Sequence, residues 1–181
     1  MARIPTQAEI AGGSTASPSE LPRKGQILRD FALNSLRGPV VRLADYRGRS
    51  ALILILSDER EETRQLMRDA ADSYGELRAK SFEVLAVIRS PHQQAKGSGR
   101  RHDLPYPVLL DTDGRLHREL GAMDRNDRDA AALYVTDMFG EAIGIYRTAE
   151  GDKLPAIEEV KEVVEFISFQ CPECEPPEWP V

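Results

Sequence analysis

Sulfur is scarce in this chain of 181 residues, and its only cysteines, Cys171 and Cys174, stand together in the closing stretch FQCPECEPPEWPV. Two cysteines three positions apart cannot make a disulfide framework, so a hydrophobic core has to hold the fold. Tryptophan is scarcer still: Trp179 is alone. Long hydrophobic runs are missing, since ALILIL and AALYV fall far short of the roughly 20 residues that span a bilayer. Excess positive charge is missing too. Lys and Arg number 24 against 30 Asp and Glu, a net charge of -6, which leaves no basic face for general nucleic-acid or anionic-membrane binding. The opening MARIPTQAEIAGGSTASPSELPRKG offers no apolar block suited to a signal-peptide core. These absences lead to the expectation of a cytoplasmic protein with reduced thiols, with neither nucleic acid nor membrane as partner.

What is present is ordinary for a globular protein: 41% hydrophobic and 30% charged residues, in a length that buries a real core within one domain. Residues 1–24 are rich in Ala, Gly, Ser, Thr and Pro without apolar periodicity and read as a flexible arm. Residues 25–169 carry the periodic segments of a domain, and residues 170–181 form a proline-rich tail around CPEC.

Within the domain, FAL and VVRL flank the turn-forming LRGP, which predicts a short β-hairpin. SALILIL and FEVLAVI show no alternation, the mark of strands covered on both faces. Between them SDEREETRQLMRDAADSY places Leu66, Met67, Ala70, Ala71 and Tyr74 on one helical face, and Asp58 with Glu61 has capping-box spacing. The RSPHQQAKGSGRRHDLPYP region reads as loop, PVLLD as a short strand, DTDG as a turn and RLHREL as a short helix. ALYVT and AIGIYR around DMFGE predict a second hairpin. PAIEEVKEVVEFISF predicts a last helix with a stripe of Ile157, Val160, Val163, Val164 and Ile167, and with Pro155 in its first turn. The order is βαβ and then ββα in one α/β domain, that of a thioredoxin-like fold: a central mixed sheet flanked by helices, with an N-terminal β-hairpin.

Several of these segments resemble one family in ordered succession. LRDFALNSLRGPVVRLADYRGRSALILIL, FEVLAVIRSP, LPYPVLLDTDGRLHRELGA and ALYVTDMFGEAIGIY are similar to the alkyl hydroperoxide reductase/thiol-specific antioxidant branch of the peroxiredoxins, over roughly residues 25–168. The resemblance implies a peroxiredoxin-type thioredoxin-like fold. It also implies antioxidant oxidoreductase chemistry by a thiolate just after the first core strand, where the helix end stabilises negative charge. This chain reads SDEREET there, with no cysteine, and Glu59, Glu61 and Glu62 crowd that helix start. Acidic residues at a helix start are ordinary dipole partners, and the dipole keeps them ionised. The arginine that the family places at the head of the strand before its last hairpin corresponds to Ala131, with Arg128 three residues earlier.

The tail then becomes the chemical question. Cys171 and Cys174 have the spacing of a catalytic thiol–disulfide pair, but they follow the negative end of a helix among Glu173, Glu175 and Glu178, which opposes thiolate formation. The same CPEC is one knuckle of a zinc site, and two tails meeting across a homodimer axis would supply four thiolates. A third reading has the cysteines dock as small apolar groups while Trp179 anchors the tail. Elsewhere, DTDG lacks the remainder of a calcium loop, GSGRRH lacks the P-loop frame, and His117 reads as a surface or helix-flanking residue. The expectation is a binding or structural member of the family whose tail docks, dimerises or holds metal. The alternative is a thiol oxidoreductase or peroxide reductase that uses Cys171 and Cys174, with a redox protein as partner.

Overall fold

A computed structural model of the chain describes residues 20–89 and 103–169. Residues 1–19, residues 90–102 with His92, Arg100, Arg101 and His102, and residues 170–181 with Cys171, Cys174 and Trp179 lie outside the described residues, so the expectations for these three segments are not addressed by the fold. The expected N-terminal hairpin forms from β1 (Ala32–Ser35) and β2 (Val40–Arg42), paired antiparallel. A 3-10 turn over Leu43–Asp45 and a left-handed Gly48 bring the chain to β3 (Ala51–Ser57), every residue of which is buried. Helices α1 (Glu61–Asp72) and α2 (Tyr74–Ala79) lead back to β4 (Phe82–Ile88), also buried throughout and parallel to β3. After residue 103 come β5 (Val108–Leu110), α3 (Arg115–Glu119), β6 (Ala132–Thr136), β7 (Ala142–Arg147) and α4 (Ile157–Ser168).

Seven strands make one mixed sheet in the order β2-β1-β5-β4-β3-β6-β7. The absence of alternation in SALILIL has a direct cause. Ile53 and Ile55 join Val84, Ala86 and Ile88 against the inward faces of α1 and α4, while Leu52, Leu54, Leu56, Leu85 and Val87 pack on the opposite face with Leu28, Leu43, Leu116 and Leu120. Period-two alternation thus divides one apolar run between two cores. The stripe of α4 buries Ile157, Val160, Val164 and Ile167, and its opposite face leaves Phe166 and Phe169 exposed. Among the described residues, no helix is long and apolar enough to cross a membrane.

Three local expectations are corrected. The helix read through Tyr74 breaks at Ser73, and α2 starts afresh at Tyr74. Asp58 and Glu61 do not form a capping box, because the N-cap is Arg60, whose extended backbone sets the helix start two residues after Asp58. Pro155 precedes the N-cap of α4, Ala156, and Glu159 reaches back to accept the Ala156 N–H at 3.2 Å.

Candidate functional site

β3, β4 and β5 run parallel, so their carboxyl ends open on one side of the sheet, where ligands and catalytic groups of open α/β sheets gather. The segments at that pole are Ser57–Arg60 leading into α1, Arg89 after β4, and Asp111 after β5. The head of β6 joins them, because β6 runs antiparallel to β3 with Ala132 opposite Leu56.

At the start of α1 the chain turns through Glu59, whose φ of 67° is unusual for a residue with a side chain. Its N–H donates to Ser57 Oγ at 3.2 Å. Arg60 at the N-cap has no side-chain acceptor to offer the helix. Asp58 supplies part of what is missing. Its Oδ1 accepts from the Arg60 N–H at 3.1 Å and from the Thr63 hydroxyl at 2.7 Å, and Oδ2 lies 3.3 Å from Arg60 Nε. Glu61 points away into solvent and pairs with Arg64 and Arg68. Hydrogen bonds from Arg68 and then Arg64 hold its carboxyl below the usual range, so these arginines, on its own helix, keep it ionised. No sulfur or imidazole stands anywhere in the segment.

Across the pole, Ala131 is fully buried and its N–H donates to Thr148 Oγ1 at 2.9 Å, so that position presents no cation. Arg128 is exposed in a tight turn whose backbone N–H donates to Asp124. The cation set at the strand ends is Arg89, which no sequence motif singles out. Its Nη1 donates to Asp129 Oδ1 at 2.7 Å, and that hydrogen bond raises its already high pKa. Gly114 makes room for it: a Cβ there would lie 2.8 Å from Arg89 Nε, on a backbone whose φ of 68° already favours glycine.

The largest departure from expectation is His117. Far from the surface, it is 0% exposed, and its Nδ1 lies 2.7 Å from Oδ2 of Asp111, also 0% exposed. The same Oδ2 accepts the His117 backbone N–H at 2.8 Å, so Asp111 both tethers the start of α3 and fixes the ring. Burial pushes the Asp111 carboxyl up, but hydrogen bonds from the His117 ring, from its backbone and from the Leu116 backbone outweigh it, and the carboxyl lies below its usual range. Asp111 Oδ1 and His117 Nε2 are buried without a partner among the described residues. The one cue in RLHREL is that His117 stands three residues before Leu120 and so shares its face, too little in a helix of five residues to mark it as buried. Asp111 thus orients the imidazole through Nδ1, and Nε2 is closed off from solvent.

Cys171 and Cys174 lie outside the described residues, and among the described residues no group of three or more His, Cys, Asp or Glu side chains could hold a metal.

Comparison with known proteins agrees with the fold and with the resemblance in sequence. Peroxiredoxin Q, chloroplastic, of Gentiana triflora is 24% identical over 136 residues, covering 65% of this chain and 63% of that protein, so the chain spans less than two thirds of that relative's length. Among solved structures, AhpC of Mycobacterium tuberculosis superimposes with a TM-score of 0.70 at 15% identity, over 83% of this chain and 95% of that one. AhpC of Enterococcus faecalis gives 0.67 at 22% identity, over 82% and 95%. At such identities these structures share the fold, which is thioredoxin-like. The model of the AhpC/TSA family matches residues 24–147, well over half of the sequence, and the chain belongs to that family.

Proposed function

We propose that this chain is a binding or structural member of the AhpC/TSA family that does not reduce peroxide at the usual helix start, and that its CPEC tail is the working part, which docks, joins two copies or holds zinc. One observation carries the reading: the first turn after β3 contains no nucleophile, and Asp58 already engages the Arg60 N–H and the Thr63 hydroxyl there. This turn presents no cysteine, and Ala131 offers no cation. A thiol-coupled peroxide-consumption assay tests the reading, with no turnover above buffer as the expected result. Near-stoichiometric zinc in freshly purified protein supports the metal role of Cys171 and Cys174, and metal-free protein removes it.

A second reading rests on the Cys-x-x-Cys pair itself. Cys171 and Cys174 would together lose two electrons and two protons to become a disulfide, while a hydroperoxide is reduced to alcohol and water or a partner's disulfide to two thiols. The placement argues against a fast reaction: α4 ends at Ser168, so both thiols follow a helix end that disfavours thiolate, among Glu173, Glu175 and Glu178. Turnover that disappears in Cys171→Ser and Cys174→Ser would establish this reading in place of the first.

A further inference from the structure

The outer face of α4 carries two aromatic rings that the fold leaves in solvent. Phe166 is 60% exposed and Phe169 85%. Phe169 keeps helical backbone angles as C-cap, so the two rings are neighbours three positions apart, on the side opposite the buried Val160, Val164 and Ile167. Their size decides what can cover them. An aromatic residue offers about 150–250 Å², so the pair leaves roughly 300 Å² bare. A stable subunit contact needs about 800 Å² from each partner. The patch is too small to seat a globular face and well sized for one aromatic side chain with its neighbours.

Such a segment begins directly beyond it. The twelve residues of the tail, 170–181, start after Phe169, and Trp179 lies ten positions on, between Glu178 and Pro180. Ten residues reach roughly 30 Å when extended, whereas one helical turn back to Phe166 is about 5 Å. One reversal is therefore enough, and Pro172, Pro176 and Pro177 prevent the chain from running on as helix. We propose that the tail folds back in cis, with Trp179 and its flanking prolines seated on Phe166 and Phe169. This rests on the reading of the tail as the working part, and it closes a loop that holds Cys171 and Cys174 between two aromatic anchors. Like charges oppose the closure: Glu162 and Glu165 flank the rings on α4, although Glu165 is paired with Lys80, and Glu173, Glu175 and Glu178 lie in the tail. Screening therefore tightens the seat as salt rises.

The full-length protein carries its own probe, since Trp179 is the only indole. Native emission is expected to be blue-shifted and shielded from acrylamide, more so at high salt. The double variant Phe166→Ala/Phe169→Ala is expected to shift emission to that of the urea-unfolded chain with equal quenching, while far-UV circular dichroism stays unchanged. If the double variant loses its helical signal, Phe169→Ala alone carries the test, because that ring is almost entirely in solvent. Three outcomes overturn the proposal: native emission already equal to that of the unfolded chain, shielding that survives loss of both rings, or shielding that vanishes on dilution together with a dimer in sedimentation. Peroxide consumption by the same samples reports separately on the non-peroxidase reading: turnover would overturn that reading and leave the emission result to judge the seat.

Discussion

Two aspartates at the same pole of the sheet do similar work with different partners. Asp58 follows the last residue of β3 and Asp111 the last residue of β5, and each turns its carboxylate toward the start of the next helix. Asp58 is held by the Arg60 N–H, by the Thr63 hydroxyl and by an arginine that is itself 70% exposed. Asp111 is held by the ring and backbone of a histidine that no solvent reaches. The Asp58 side chain is itself only 3% exposed, but its ion-pair partner Arg60 reaches solvent. At α3 both partners are closed off from solvent, and a donor left without its acceptor there must be borne by the core. One carboxylate is paired with a solvated arginine; the other ties α3 to the sheet through a wholly buried histidine.

The sharpest way to break this contrast is to remove both carboxylates in turn. Asp111→Ala leaves the His117 ring and two backbone donors without their acceptor, and a loss of about 3–5 kcal/mol is expected, as when one partner is removed from a buried, hydrogen-bonded pair. Urea unfolding followed by circular dichroism measures it. Asp58→Ala removes a cap-like acceptor, and the expected loss is about 1 kcal/mol. Equal costs would abolish the distinction.

Acid sharpens the same comparison. The folded-state pKa of Asp111 lies below its unfolded value, so its stabilisation is complete above the unfolded carboxylate value of about 3.9 and is lost as pH falls through the folded value. Asp111→Asn has no such proton to bind. The wild type is therefore expected to lose stability faster than Asp111→Asn below about pH 4, so that the two curves converge. Parallel curves would show that the pair contributes no proton-linked stability.

Both sides of the contrast were unevenly legible in the sequence. The sheet was readable because its pattern is dense: β3 and β4 present seven consecutive buried residues each, and only coverage on both faces accounts for that. The hairpins and α4 were readable because turn residues and apolar periodicity agree over ten or more positions. His117 was not, because α3 is five residues long and provides too few turns for periodicity to outweigh the habit of placing histidine at the surface. Its partner Asp111 sits six residues earlier inside DTDG, where a turn already explains an aspartate. Arg89 gives no signal because the residue after a strand has no pattern of its own; the pairing with Asp129, forty positions away, is visible only in three dimensions. The capping-box expectation failed because the left-handed Glu59 delays the helix, and no spacing rule reports a single positive φ.

The smallest expected effect separates two explanations of how α1 starts. If negative charge beside the helix dipole is what matters, Glu61 in the first turn should serve as well as Asp58. If directed hydrogen bonds matter, it should not. Glu61 spends its carboxylate on Arg64 and Arg68, both exposed, rather than on the open end of the helix. Exposed pairs of this kind are largely offset by side-chain entropy and by screening. Glu61→Gln is therefore expected to leave the urea midpoint within error of the wild type at low and high salt alike, while Asp58→Ala lowers it at both. A Glu61→Gln loss that matched Asp58→Ala at low salt and disappeared at high salt would mean that charge, not geometry, caps this helix. The acidic SDEREET would then be an electrostatic device at the start of α1.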